Sequence, residues 1–288
     1  MFPFCVWLVT WFGIPALGAA IIVSAISGWA ATMLVWRLGT AVGGEELGYG
    51  SAILFVVFPG MAISWGLTYC ECVGTALAAG ALMMMMKKRW LLAGVLGAFA
   101  TATSPVALML VPAALVPAVQ AIRHRRAPAA LLTAVVAPAG FFGFALWEAV
   151  QYHDLLFYWH LQHQAWGDTV DFGRSFVRLL LHPWQGGYQG KGWMEWVGLV
   201  AVLLACAALH KAKLPGFITA YSLSVFVLLL ITNEGLKPRL LTWAFPALIA
   251  VAATMKSRSR QTLVTVFAAL MVIVFFAYVL LGNTMIQP

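Results

Sequence analysis

Glu71 lies at the edge of an apolar stretch, two residues after Tyr69, and is the strongest candidate for chemistry in this 288-residue chain. An ionisable side chain at membrane depth costs about 2.5–3.5 kcal/mol on insertion scales, so it normally faces a cavity or a charged partner. The structural alternative is a carboxylate held by the amides and dipole of a helix N-terminus. Lys237 and Arg239 follow Glu234 in the short polar stretch Asn233–Arg239 and precede another apolar run. Two such cations can grip a phosphate, Arg through its planar bidentate fork, or can snorkel to anionic headgroups. Asp168 and Asp171 would share a face if their segment were helical, and could then act as a base or bind a metal. The flanking Gly167 and Gly173 point instead to a turn, where Asp is a common cap. His160 and His163 also share a helical face, but no third ligand follows at zinc spacing, so no metal site is expected. No Walker loop, dinucleotide glycine pattern or Ser-His-Asp order is present.

The elements that must position these residues are membrane helices. The chain is 63% hydrophobic and 9% charged, and a soluble domain needs about 25% charged residues to cover its surface. Its net charge of +8 does not form a nucleic-acid-binding stripe. Instead Arg37, Lys87–Arg89, Arg123–Arg126, Lys211–Lys213 and Lys256–Arg260 occupy alternate gaps between apolar runs. Most acids (Glu71, Glu148, Asp154, Asp168, Asp171, Glu195, Glu234) occupy the other gaps. Basic gaps stay cytoplasmic, which places the N-terminus and the acid-bearing loops outside. The first apolar run carries no preceding basic region, so the chain is expected to enter the membrane at once from outside, without a signal peptide. Cys5, Cys70 and Cys72 share the outer side, as a disulfide or as small buried hydrophobes.

Ten hydrophobic segments follow, near 13–36, 51–66, 72–86, 90–103, 106–122, 128–149, 193–209, 214–232, 240–255 and 261–281. The fold class expected is therefore all-α and polytopic, a single membrane domain over 1–288. Several segments are too short for straight spans of about 20 residues. Phe58-Pro59-Gly60 and Ser104-Pro105 interrupt them, because proline removes a backbone donor and moves its predecessor out of the helix. The second break predicts a helical hairpin over 90–122, and both point to an outward-opening cavity. One long outer loop, 150–192, should carry an amphipathic interfacial helix over Leu155–Trp166, followed by an irregular stretch folded over the cavity mouth.

Several motifs occur in a familiar order: Phe2-Pro3-Phe4, Phe58-Pro59-Gly60, Tyr69-x-Glu71, Arg89-Trp90-Leu91-Leu92-Ala93-Gly94, Thr103-Ser104-Pro105, Trp166-Gly167, and Pro238-Arg239 ahead of Phe245-Pro246. In this the chain resembles the membrane mannosyltransferases that add the second mannose to GPI anchors, and more closely their bacterial relatives. The resemblance implies a GT-C-type bundle of about ten transmembrane or half-spanning helices in a bacterial plasma membrane. It implies a polyprenyl-phosphate mannose donor, a glycan or glycolipid acceptor, and no nucleotide-sugar site; a divalent metal requirement is left open. Candidate catalytic carboxylates are then Glu71, Asp168 and Asp171. Candidate substrate contacts are Tyr69, His163, Trp166, Lys237 and Arg239.

The chain also departs from that pattern. Cys70 stands where the family has Ser or Thr, and Ser104 stands where it has Arg. The catalytic carboxylate expected in the family's first outer loop would fall upstream of Met1. Three readings stay open at this point: a glycosyltransferase that is truncated or inactive, a non-catalytic subunit binding a polyprenyl lipid or a partner transferase, and a transporter of lipid-linked sugar.

Overall fold

A computed structural model describes residues 1–288 except 67, 126, 168, 183–191 and 282–288, and leaves undescribed the side chains of 66, 166, 192–194 and 274–281. The described residues form helices joined by turns, with no strand among them beyond an isolated bridge between Val170 and Thr232.

The first helix, α1 (Phe2–Thr10), differs from expectation, since it is separate from the span that follows. Gly13, at φ +78, takes the turn, and α2 (Ala16–Gly43) runs from there. Gly44 then allows α3 (Glu45–Val56) to fold back along α2. Pro59 breaks the next run where the sequence places it: α4 (Pro59–Gly66) leaves α3 at an angle of 61°. α5 (Glu71–Met86) and α6 (Trp90–Thr101) follow. Ser104 is extended (φ −154, ψ 140), and its hydroxyl accepts from the Val106 amide at 3.4 Å, which starts a 3₁₀ turn at Pro105 ahead of α7 (Leu110–Arg123). The chain therefore turns where the hairpin was predicted, but the two arms take different neighbours. α6 packs on α5 and α8 (Leu131–Val136), while α7 packs mainly on α13 (Gly216–Ile231).

α9 (Ala139–Tyr152) completes the span begun by α8. After α10 (Phe157–Trp166) and α11 (Arg174–Leu181) come α12 (Gly192–Ala212) and α13. α14 (Pro238–Leu241), a 3₁₀ turn over Thr242–Ala244, α15 (Pro246–Thr254) and α16 (Ser257–Leu281) end the bundle. Each of the ten apolar segments thus has a helical counterpart. Among the described residues four helical stretches are long and apolar enough to cross a membrane, or five if the bent α3–α4 pair forms one span. α5, α6 and α13 are shorter apolar helices.

The packing is that of a protein in lipid. Large aliphatic and aromatic side chains such as Ile26, Trp29, Val135, Leu203 and Leu204 face outward. The interior is rich in alanine, which lets helices approach closely. At its centre Trp243, Tyr221, Phe55 and Phe245 are fully buried, with the Phe245 ring 6.2 Å from Phe55 and 5.9 Å from Tyr221. Cross-chain contacts sort by end as the charge pattern requires. Glu46 and Arg260, from two gaps assigned to the same side, meet at 2.6 Å. Glu71 and Arg239, both assigned to the opposite side, also meet.

Candidate functional site

The second of these meetings forms the site. After α4 the chain turns through Thr68, which takes a left-handed φ of +55, and re-enters a helix at Glu71, the first residue of α5. That position puts a carboxylate at the positive end of the helix. Arg239 arrives from the far part of the chain on the short helix α14. Its placement depends on two glycines. A side chain at Gly60 would collide with the Pro238 carbonyl and the Thr242 hydroxyl, and one at Gly74 with the Trp243 ring. The stretch 238–243 is therefore wedged between the start of α4 and the second turn of α5.

Arg239 Nε lies 3.2 Å from Glu71 Oε1, and its guanidinium carbon lies 4.5 Å from the centroid of the Tyr69 ring. Glu71 is only 3% exposed. The contact brings the charges together without the alignment of a hydrogen bond: Arg239 Nε and Glu71 Oε2 are both buried with no hydrogen-bond partner. Buried polar groups are normally satisfied, so the pair keeps unused hydrogen-bonding capacity in a site of low polarity. Tyr69, Glu71 and Arg239, each singled out from sequence, are thus brought together. Lys237 caps the start of α14, two residues before Arg239, and is half-buried.

Asp171 and His163 take no part in this contact. Residues 167 and 169–173 are not helical, and Asp171 lies in the turn that the flanking glycines point to. Asp171 caps α11, accepting from the amides of Gly173 at 3.0 Å and Ser175 at 2.8 Å. Burial pushes its carboxyl up, but the hydrogen bonds from Ser175 and Gly173 outweigh this and hold it below the usual carboxylate range. Asp168 lies outside the described residues. His163 is exposed on α10, and Trp166 ends that helix with its side chain undescribed. His160 Nδ1 lies 2.8 Å from Asp154 Oδ2. The Leu156 amide and His160 hold the Asp154 carboxyl below its usual range. Among the described residues no group of three or more His, Cys, Asp or Glu could hold a metal, and the four cysteines are free.

The long loop over 150–192 also differs from its expected form. α10 occupies the stretch expected to be an amphipathic helix, with Phe157 stacked on Tyr152 at 3.9 Å and Tyr158 edge-on to Phe141 at 5.4 Å. The following stretch, expected to be irregular, contains α11. Its more strongly amphipathic pattern spans only two turns, too few to stand out from sequence.

Two features escaped sequence reading. Asn233 clasps the outer loop: its side chain accepts from the Thr169 amide and donates to the Gly167 carbonyl, both at 2.7 Å, and its own amide donates to the Thr169 carbonyl at 3.1 Å. Its only sequence signal is an ordinary turn composition. The second is an apolar groove of about 350 Å³ between α12, α13, α15 and α16, lined by residues including Leu204, Ala208, Leu241, Leu248, Met255 and Phe267. The hydroxyl of Thr254 on its wall donates to the Ala250 carbonyl at 3.0 Å. The groove reaches Leu241, two residues beyond Arg239, and Phe58, beside the Pro59 break, also lines it. The chain matches no family model, no curated protein and no solved structure.

Proposed function

We propose that this helical membrane protein is a glycosyltransferase of the GT-C type, taking a sugar, mannose by resemblance, from a polyprenyl-phosphate donor. The convergence of Tyr69, Glu71 and Arg239 at one end of the bundle carries the reading. Transfer requires the acceptor hydroxyl oxygen to attack the anomeric carbon while the bond from that carbon to the phosphate oxygen breaks. The hydroxyl proton goes to a base, and the negative charge gathers on the departing phosphate. Arg239 has the fork that phosphate needs, and its Nε is buried without a hydrogen bond between Glu71 and the Tyr69 ring. Lys237 begins the same short helix. The groove beside Leu241 has the chemistry of a hydrocarbon tail. Glu71 acts as the base only after phosphate has drawn Arg239 away from it.

A second reading, a lipid-binding subunit without transferase activity, is favoured by a specific observation. Asp154 and Asp171 are engaged at helix starts and Glu71 is engaged by Arg239. Purified protein in lipid nanodiscs, given radiolabelled polyprenyl-phosphate mannose and glycolipid acceptors, separates the two. Mannose transfer that Arg239→Ala abolishes supports the enzyme. Donor binding that needs Arg239, with no transfer, supports the subunit. Donor binding indifferent to Arg239→Ala defeats both.

A further inference from the structure

The outer loop is fixed in depth as well as in sequence. The amides of Asp171 and Phe172 both donate to the Ile231 carbonyl, at 3.1 and 3.0 Å, and Val170 bridges Thr232. Ile231 is the last residue of α13, a 16-residue apolar helix; at about 1.5 Å per residue it approaches the hydrocarbon thickness, so its end is expected near the edge of that layer. Phe172 is held there at φ +53, a conformation bulky residues rarely adopt. α11 begins two residues later, so it starts at the height of the lipid headgroups.

α11 presents three faces. Leu179, fully buried, and Phe176, half-buried, lie on the side packed against α12 and α13. Arg174 and Arg178 are exposed four residues apart along one edge, Arg174 also within electrostatic reach of Asp171. Val177, Leu180 and Leu181 form an exposed apolar stripe that adjoins the arginine edge, and Leu181 is 69% exposed. Phe172, at 86% exposure, extends that surface. In water such a surface would be unfavourable. At the depth set by Ile231 the apolar side chains meet acyl chains and the arginines meet phosphates.

We propose that α11 is a shallow membrane anchor that binds anionic phospholipid, with Arg174 and Arg178 on the headgroup phosphates and Phe172, Val177 and Leu181 among the upper acyl carbons. The loop joins α9 to α12, both parts of candidate spans, so the helix is held at the bilayer surface and needs little affinity of its own. Because Asn233 ties residues 167–169 to the stretch leading to Lys237 and Arg239, the anchor also holds the loop beside the candidate site. The inference stands independently of the transferase reading.

The test uses the full chain, carrying a photoreactive benzoylphenylalanine at Val177 or at Leu181, in vesicles of phosphatidylethanolamine and phosphatidylglycerol. A probe at Val135, 73% exposed within the α8–α9 span, gives phospholipid adducts in every sample and verifies reconstitution. Probes at 177 and 181 should also give phospholipid adducts by mass spectrometry, enriched in phosphatidylglycerol. Arg174→Gln and Arg178→Gln should reduce that enrichment by about fivefold for each arginine removed, leaving the Val135 adducts unchanged. Crosslinks from 177 and 181 to a second copy or to another protein would overturn the proposal. So would water-quenched probe alone, or adducts whose phosphatidylglycerol share ignores both arginines.

Discussion

Arg239 Nε stands 3.2 Å from Glu71 Oε1, each residue placed by the start of its own helix, and the two join distant parts of the chain in one buried contact. A buried pair of this kind is held less by its own attraction than by the cost of leaving either partner alone. Arg239→Leu should therefore destabilise the protein by about 3–5 kcal/mol. The double substitution Glu71→Leu with Arg239→Leu should recover a large part of that loss. Thermal unfolding in detergent micelles measures both, and equal or additive losses would mean that the charges are not coupled.

The wedge at Gly60 gives a second expectation. Its neighbours are the Pro238 carbonyl and the Thr242 hydroxyl, and backbone cannot retreat as the end of a flexible side chain can. Gly60→Ala should cost about 1–3 kcal/mol and weaken phosphate-dependent donor binding by moving α14. Gly143, in the interior of α9, has open space where a β-carbon would stand, with nothing within 4 Å. Gly143→Ala should therefore be neutral or stabilise by about 0.5–1 kcal/mol. Melting temperatures that do not separate the two variants would remove the wedge as an explanation for the position of Arg239.

Asn233→Ala removes two side-chain hydrogen bonds at 2.7 Å and leaves the backbone bond to Thr169. Each is worth about 1 kcal/mol net. Hydrogen exchange should quicken at 167–172 and in α11 while the spans remain protected. Uniform loss of protection would show that the clasp stabilises the whole bundle and not the loop alone.

A pH dependence follows from the two capping aspartates. The folded carboxyls of Asp154 and Asp171 lie below the ordinary value of 3.8, so the unfolded loop binds protons more readily. Their contribution is fully present above the ordinary value and is lost as the pH falls through the depressed folded value. Below about pH 4, protection at the first turn of α11, measured relative to the intrinsic exchange rate at each pH, should fall. Asp171→Asn should flatten that dependence, since its side-chain oxygen can still accept a hydrogen bond but no longer titrates. An unchanged profile in Asp171→Asn would place the titration elsewhere.

Much of this protein is determined locally and is legible in the sequence for that reason. Apolar runs become helices because unpaired backbone cannot lie in lipid. Pro59 and Pro105 each open a new helical turn just beyond a helix end, because a residue without an amide hydrogen fits the first turn of a helix. The same local logic marked Tyr69, Glu71 and Arg239, whose polarity is out of keeping with their apolar surroundings. What the tertiary structure decided are relations between distant segments. It set Arg239 on Glu71, seated the Pro238 carbonyl on Gly60, tied Asn233 to Gly167 and Thr169, and set Asp171 on the amides of Gly173 and Ser175 at the start of α11. None of these could be read from residue types, because each depends on which backbone atoms two remote stretches bring to the same point. α11 shows the same division: its arginines and leucines are visible in the sequence, but its place beside the end of α13 is set by the hydrogen bonds of Asp171 and Phe172 to Ile231.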